Sequence, residues 1–351
     1  MLSSRTEAIL KSIVRQYITR ATPVPSQSIT NDYELGVSAA TIRNEMAYLE
    51  QEGYITRRHP SAGSIPSDKG YRHYVESLGD IKLPLAEQRL VSHLFHQVER
   101  ELEEWLNLAA TLIAQMVQNA AVVTMPKPEA CQFKHLELVS LQDFLSLVIL
   151  VLSGARVREQ LITFNQIISQ AELTAIASKL SAAYSGLTSS QILAKESGLS
   201  STEQQIADCL VKVMEGKDNQ EYEAPCLDGL HLILNQPEFT HSRRMTLTLM
   251  ELVEQRNLLK SIIPLGLTSN RVQVIIGKEN RTEAIHDYSV VISRYGSPKE
   301  AMGTIGVIGP TRMPYARTIT TVGYLSSVLS ELAAKLYERE MPVELNPNNS
   351  N

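Results

Sequence analysis

Between Ser38 and Gln51 an arginine and an asparagine stand side by side on what reads as one face of a helix. A guanidinium can donate twice to a guanine edge, and an asparagine amide can both donate and accept at an adenine edge. With Ile42, Met46 and Leu49 turned inward, a rotation of about 100° per residue puts Ala40, Arg43, Asn44, Ala47, Tyr48 and Gln51 on the opposite side. The first turn, Ser38-Ala39-Ala40-Thr41, is small and polar, which permits close approach to a groove. Farther on, Arg57, Arg58, Lys69 and Arg72 face a single acid, Asp68. Cations placed so fit phosphate contacts, which hold register without reading bases. The candidate DNA-contacting residues are Ser38, Ala40, Thr41, Arg43, Asn44, Tyr48, Arg57, Arg58 and Lys69. The pattern alone leaves a second reading open: a solvated helix face beside an ordinary hairpin.

The other chemistry-bearing residues do not assemble into a site. Gly303, Gly306 and Gly309 superficially suggest a phosphate loop, but Pro310-Thr311-Arg312 stands where a Lys-Ser/Thr pair is required, so a strand-to-helix turn is expected. His93, His96 and Glu99 share a helix face without a fourth metal ligand. Neither GxSxG nor HExxH occurs. No enzyme, metal or cofactor is expected. Cys131, Cys209 and Cys226 are far apart and outside any CxxC, which fits a reducing cytosol better than a disulfide framework.

The elements that must position the candidate face begin with a helix from a Ser4–Glu7 capping box to about Arg20, with Ile9, Leu10, Ile13, Val14, Tyr17 and Ile18 at helical spacing. A second helix is expected over Ser26–Tyr33, a tight turn at Leu35-Gly36-Val37, and a third helix capped by Ser38 and stopped by Gly53. Alternation at Tyr54–Arg58, a turn over His59–Gly63 and a return through Ile65 make a short hairpin. Helices followed by a basic ribbon are the winged variant of a helix-turn-helix module.

The 351 residues are 43% hydrophobic and 20% charged, enough for two or three globular domains. The net charge of −5 carries no chain-wide basic field, so a nucleic-acid site must be local. Residues 1–78 hold nine Lys/Arg against eight Asp/Glu, and the remainder 24 against 30. The N-terminus lacks the apolar core of an export signal. Trp105–Met125 is free of charge at nearly membrane-spanning length. However, Asn107, Thr111, Gln115 and Gln118 or Asn119 line one wet face, which reads as part of a long amphipathic helix running from Leu85 to Pro126. Three strands are then expected at Leu136–Leu141, Phe144–Leu152 and Val157–Phe164, in an antiparallel meander. A mainly helical block follows over 165–265, then strands at Val272–Ile276, Tyr288–Ser293 and Thr304–Ile308, and a long helix with Ile319, Val322, Leu329, Leu332 and Leu336 in one stripe. Sheet, helical block and sheet again fit either an insertion or three consecutive domains. The polar end, residues 346–351, is expected to be disordered.

Four blocks carry a resemblance: Gly36–Glu50, Pro60–Tyr74, Leu234–Phe239 and Gly303–Arg317. In that order they resemble the signature of HrcA, the family of bacterial heat-inducible transcription repressors. The likeness extends over nearly the whole chain. It implies an α+β multidomain protein: an N-terminal winged helix-turn-helix at 1–78, a GAF-like α/β domain with an antiparallel sheet at 79–164 and 266–345, and a mainly helical dimerising domain inserted at 165–265. It also implies a cytoplasmic homodimer that binds the CIRCE inverted repeat upstream of chaperone operons, with activity promoted by the GroEL chaperonin. The segment Arg57-Arg58-His59 is more basic than the acidic or neutral residues expected there in the family. A small-molecule-responsive GAF-domain regulator is the alternative, although few aromatics and no acid-base set mark a pocket.

Overall fold

Helix α1 (Ser4–Arg20) begins one residue earlier than its sequence spacing predicts: Ser3 is the cap, its Oγ accepting the Thr6 amide at 3.1 Å. Glu7 does not close a box with Ser4, because its carboxylate pairs forward with Lys11 at 2.7 Å. Ala21, in the left-handed region at φ 53°, ends the helix ahead of Pro23. In this computed structural model the described residues are 2–30, 38–57, 59, 63–98, 101–126, 132–153, 156–195, 198–218, 225–254, 262–263, 271–297 and 301–340. The expected turn at 35–37 and tail at 346–351 lie outside them.

The chain divides into two compact units, one built from 1–126, 224–297 and 303–351, the other from 127–223 with 298–302. In the first, α1 is followed by α2 (Ser26–Thr30) and α3 (Ala39–Gln51), then β1 (Ile55–Thr56) and β2 (Ile65–Pro66), which pair antiparallel with Ile55 opposite Pro66. Helix α4 (Asp68–Glu76) is capped by Ser67, whose Oγ accepts the Gly70 amide and donates to Gly53 O at 2.6 Å. Ile9, Leu10, Ile13, Ile29, Ile42, Met46 and Leu49 are buried together, so the predicted inner faces of α1 and α3 are the observed ones. Each such side chain contributes about 1.5–3 kcal/mol when fully buried.

The same unit contains a five-stranded sheet in the order β7-β3-β10-β9-β8, made of β3 (Ala120–Val123), β7 (Cys226–Asp228), β8 (Gln273–Ile276), β9 (Tyr288–Ser297) and β10 (Ala301–Pro310). Helices α5 (Leu85–Gln97), α6 (Leu102–Val117) and the C-terminal α13 (Tyr315–Glu340) accompany it, α13 packing along β9 and α6. The single long helix expected over 85–126 is therefore two helices and a strand. Gln118 adopts φ 55° and closes α6, and Ala120–Val123 is a buried interior strand, paired with β10 on one edge and β7 on the other. Asn119, counted in the sequence with the wet face, is buried in the connection and donates to Val117 O at 2.8 Å. Among the described residues no helix is long and apolar enough to cross a membrane.

The second unit holds β4 (Phe133–Gln142), β5 (Leu145–Leu152) and β6 (Arg156–Thr163) as the expected antiparallel meander, with α7 (Gln170–Tyr184), α8 (Ser189–Leu193) and α9 (Ser201–Asp218). Its own core joins Leu136, Leu138, Val148 and Leu150 to Leu173, Leu180, Ile206 and Leu210. The resemblance implies that these strands belong with the 79–164 segment and that an insertion begins at 165. The structure begins the separate unit at 127, and it ends that unit at 223 rather than 265. The reason is which core each strand serves: only β3 from the 79–164 stretch joins the larger sheet. β7 and the helices α10 (Leu230–Leu234), α11 (Pro237–Thr240) and α12 (Arg243–Glu254) return to the first unit.

Candidate nucleic-acid interface

Helix α3 starts where Ser38, in extended conformation, turns its Oγ onto the Thr41 amide at 3.2 Å, with the two hydroxyls 2.9 Å apart. From there Ser38, Ala39, Ala40, Arg43, Asn44, Ala47, Tyr48 and Gln51 are exposed in one continuous band, Thr41 is half-buried at its edge, and Tyr48 keeps 44% of its surface open. The side chains of Arg43 and Asn44 enter no hydrogen bond or ion pair among the described residues. A small-residue start, two side chains with bidentate capacity and an aromatic on one convex face can enter a major groove and meet base edges.

Glu45 braces the helix from behind. Its carboxylate accepts from Arg5 Nε at 3.0 Å and from the Thr6 hydroxyl at 2.7 Å, which ties α3 to the first turn of α1. Sequence reasoning missed this contact, since partners about 40 positions apart leave no trace in local spacing. Two predicted phosphate contacts lie at the other end of α3. Arg57 Nε sits 3.2 Å from the Glu50 carboxylate. Lys69 Nζ donates to Glu52 O at 2.7 Å and lies 4.2 Å above the Tyr54 ring, a cation at a helix C-terminus whose last carbonyls lack intrahelical partners. Arg58 lies outside the described residues. The structure thus gathers Ser38, Ala40, Thr41, Arg43, Asn44 and Tyr48 on one helix, while Arg57 and Lys69 also hold the ribbon and α4 against its far end.

The rejected motifs resolve locally. Gly303, Gly306 and Gly309 lie inside strand β10, not in a loop; a Cβ at 303 would fall 2.3 Å from the Tyr295 ring, and one at 309 would fall 2.2 Å from Asn119 Oδ1. Close packing accounts for these glycines. His96 Nδ1 lies 2.6 Å from Ser92 O and His93 Nε2 lies 3.0 Å from Gln97 Nε2, while Glu99 is outside the described residues. Among those described, no group of three or more His, Cys, Asp or Glu could hold a metal. A cavity of about 400 Å³ opens between α5, α6 and α13, floored by Phe95, Val98, Trp105, Tyr324 and Leu332.

Residues 103–319 match the family described as HrcA protein C terminal domain. A protein of Dehalococcoides mccartyi named heat-inducible transcription repressor HrcA is 55% identical over 337 residues, covering 96% of this chain and 97% of its own. One of the same name from Roseiflexus castenholzii is 41% identical, with 96% of each chain covered. Among solved structures, the crystal structure of a hypothetical protein at 2.2 Å resolution shares the fold with a TM-score of 0.62 at 23% identity, over 95% of this chain and 99% of that one.

Proposed function

Because the chain belongs to the HrcA family of heat-inducible transcription repressors, we propose that it is a non-enzymatic repressor of chaperone operons that binds the CIRCE inverted repeat as a homodimer, with activity promoted by the GroEL chaperonin. In this reading α1–α4 with the β1–β2 ribbon are a winged helix-turn-helix, the five-stranded unit is the GAF-like domain, and 127–223 is the dimerising insertion. The observation that carries the reading is the exposed face of α3, with Arg43 and Asn44 uncommitted over a buried Ile42, Met46 and Leu49. Two such helices related by a two-fold axis match the two halves of an inverted repeat.

The chemistry of the second unit supports a dimer. Its three-stranded sheet covers one face with helices and leaves the other open. Along β5 the open side is Leu145, Leu147, Ile149 and Val151, and Leu147 lies between Val139 on β4 and Leu161 on β6. Val157 and Leu161 remain 52% and 53% exposed. A contiguous apolar strip of this kind is the chemistry of a protein interface. Such a strip left uncovered is also what a chaperonin recognises in incompletely assembled chains.

The test is a fluorescence-anisotropy titration against a CIRCE-type inverted repeat and a half-site-scrambled control, at two salt concentrations, with and without chaperonin. Strong preference for the intact repeat, and a gain with chaperonin, are expected in the cytoplasmic salt range. Equal weak binding to both duplexes in every condition would sink the reading. The cavity between α5, α6 and α13 favours the small-molecule alternative; a metabolite that both raises the melting temperature and changes operator affinity would select it.

A further inference from the structure

Two of the four sequence blocks, Leu234–Phe239 and Gly303–Arg317, meet at the last turn of α1. Arg312, in the turn between β10 and α13, donates from Nε to Glu238 Oε1 at 2.6 Å and from Nη2 to Oε2 at 3.2 Å, with Gln236 Oε1 at 3.3 Å. Its remaining arm, Nη1, donates to Ile18 O at 2.5 Å. That carbonyl belongs to the last turn of α1, where oxygens lack intrahelical donors and a cation is favoured. The Arg312 side chain is only 13% exposed.

A second attachment runs through α4. Arg72 pairs with the Glu279 carboxylate through Nε at 2.8 Å and through Nη2, which also donates to Val274 O at 2.7 Å. Asp68 Oδ2 accepts the Lys278 amide at 3.0 Å, and the Tyr71 ring lies 5.6 Å from that of Tyr315. Gly277 has φ +53°, and a Cβ there would stand 2.3 Å from Asp68 Oδ2, so a side chain at this turn would displace the Asp68 carboxylate from the Lys278 amide.

These attachments are directional. Apolar burial tolerates sliding, whereas a guanidinium fork fixes an angle. A path of hydrogen bonds continues from Arg312 to α1, and from Arg5 and Thr6 through Glu45 to α3. We propose that Arg312 and Arg72 are positioning residues that fix the angle of α3 on the body of the repressor and thereby set the half-site spacing the dimer accepts. The proposal rests on the repressor reading above and puts neither arginine on DNA: Arg72, grouped by its charge with the phosphate-contacting cations, is instead engaged by Glu279 and Val274 O.

The experiment uses the full chain with Arg312→Lys, which keeps the charge and loses the fork, and separately Arg72→Gln and Glu279→Gln. Anisotropy is read on inverted repeats with the half-sites moved apart or together by one, two or three base pairs, and on a single half-site duplex. Circular dichroism and sedimentation report fold and dimer. The parent is expected to bind its preferred spacing roughly tenfold or more above the others, since groove phase rotates with each base pair. In the variants that preference shrinks to within about threefold while half-site sequence preference persists, because the base-reading face is untouched. Folded, dimeric variants with the parent's spacing profile would overturn the proposal. Arg72 and Glu279 are 30% and 37% exposed, so their variants decide the matter if Arg312→Lys does not fold. A parent with no preference for the repeat defeats the repressor reading, and this inference with it. Loss of spacing preference in the variants alone is the supporting result.

Discussion

The two exposed faces that bear on function are opposites in chemistry. The outward side of α3 is polar and narrow, with Arg43 and Asn44 above a start of serine, alanine and threonine. The open side of the β4-β5-β6 sheet is apolar along β5, where Leu145, Leu147, Ile149 and Val151 run beside Val139, Val157 and Leu161, with His135, Glu137 and Glu159 at its borders. A base edge satisfies the first, since hydrogen-bonding groups lose little on leaving water when they find geometrically matched partners. Only another apolar surface satisfies the second. Under the proposed function, a chain that keeps both in one molecule separates recognition from assembly, so that each is open to attack alone.

The largest effect is expected at the apolar face. Leu161→Glu places an unpaired charge where burial between two chains is proposed, at a cost of about 3–5 kcal/mol. Because Leu161 is half-exposed in the single chain, folding should be retained while sedimentation shows monomers and repeat affinity falls toward that of a half-site. An unchanged dimer would show that the open sheet is not the assembly surface. Next, Arg43→Ala should weaken operator binding by about 1–3 kcal/mol and relax preference at one base pair per half-site, leaving the dimer intact. Uniform weakening over all sequences would move Arg43 to the backbone-contacting set.

Smaller changes sharpen the division. Ser38→Ala removes the cap of α3 and should destabilise the N-terminal module by about 0.5–2 kcal/mol in thermal unfolding, with no change in self-association. Arg58→Ala is expected to lower the salt dependence of binding by about one unit, equally for specific and scrambled duplexes. The smallest effect concerns pH. The Lys179 ammonium, helped by the Ser200 amide, holds the Glu203 carboxyl below the usual carboxylate range. A lowered folded value stabilises above the unfolded pKa and is lost as pH falls through the folded one. Glu203→Gln should therefore flatten the acid side of the second unit's stability profile and leave neutral-pH DNA binding unchanged.

What could be read in the sequence was periodic and local. Ile42, Met46 and Leu49 recur every three or four residues, so the outward face of α3 followed by subtraction, and the short separations between β4, β5 and β6 announced a meander. Ala120–Val123 could not be read, because a short strand buried on both faces has no alternation and here it directly follows an apolar helix. Ser3 and Ser4 are equally good caps in sequence, and the structure puts the cap at Ser3, whose Oγ accepts the Thr6 amide.

The sequence by itself determined the local elements of the N-terminal module and the residues α3 turns outward, because a helix's two sides follow from its 3.6-residue period. It also carried the family, through blocks whose order survives without knowledge of the fold. Only tertiary structure decided which sheet each strand joins, where the second unit begins, and that Arg312 closes the end of α1. Those outcomes depend on partners tens to hundreds of residues away, and hydrophobic pattern specifies that a face must be covered without specifying by what.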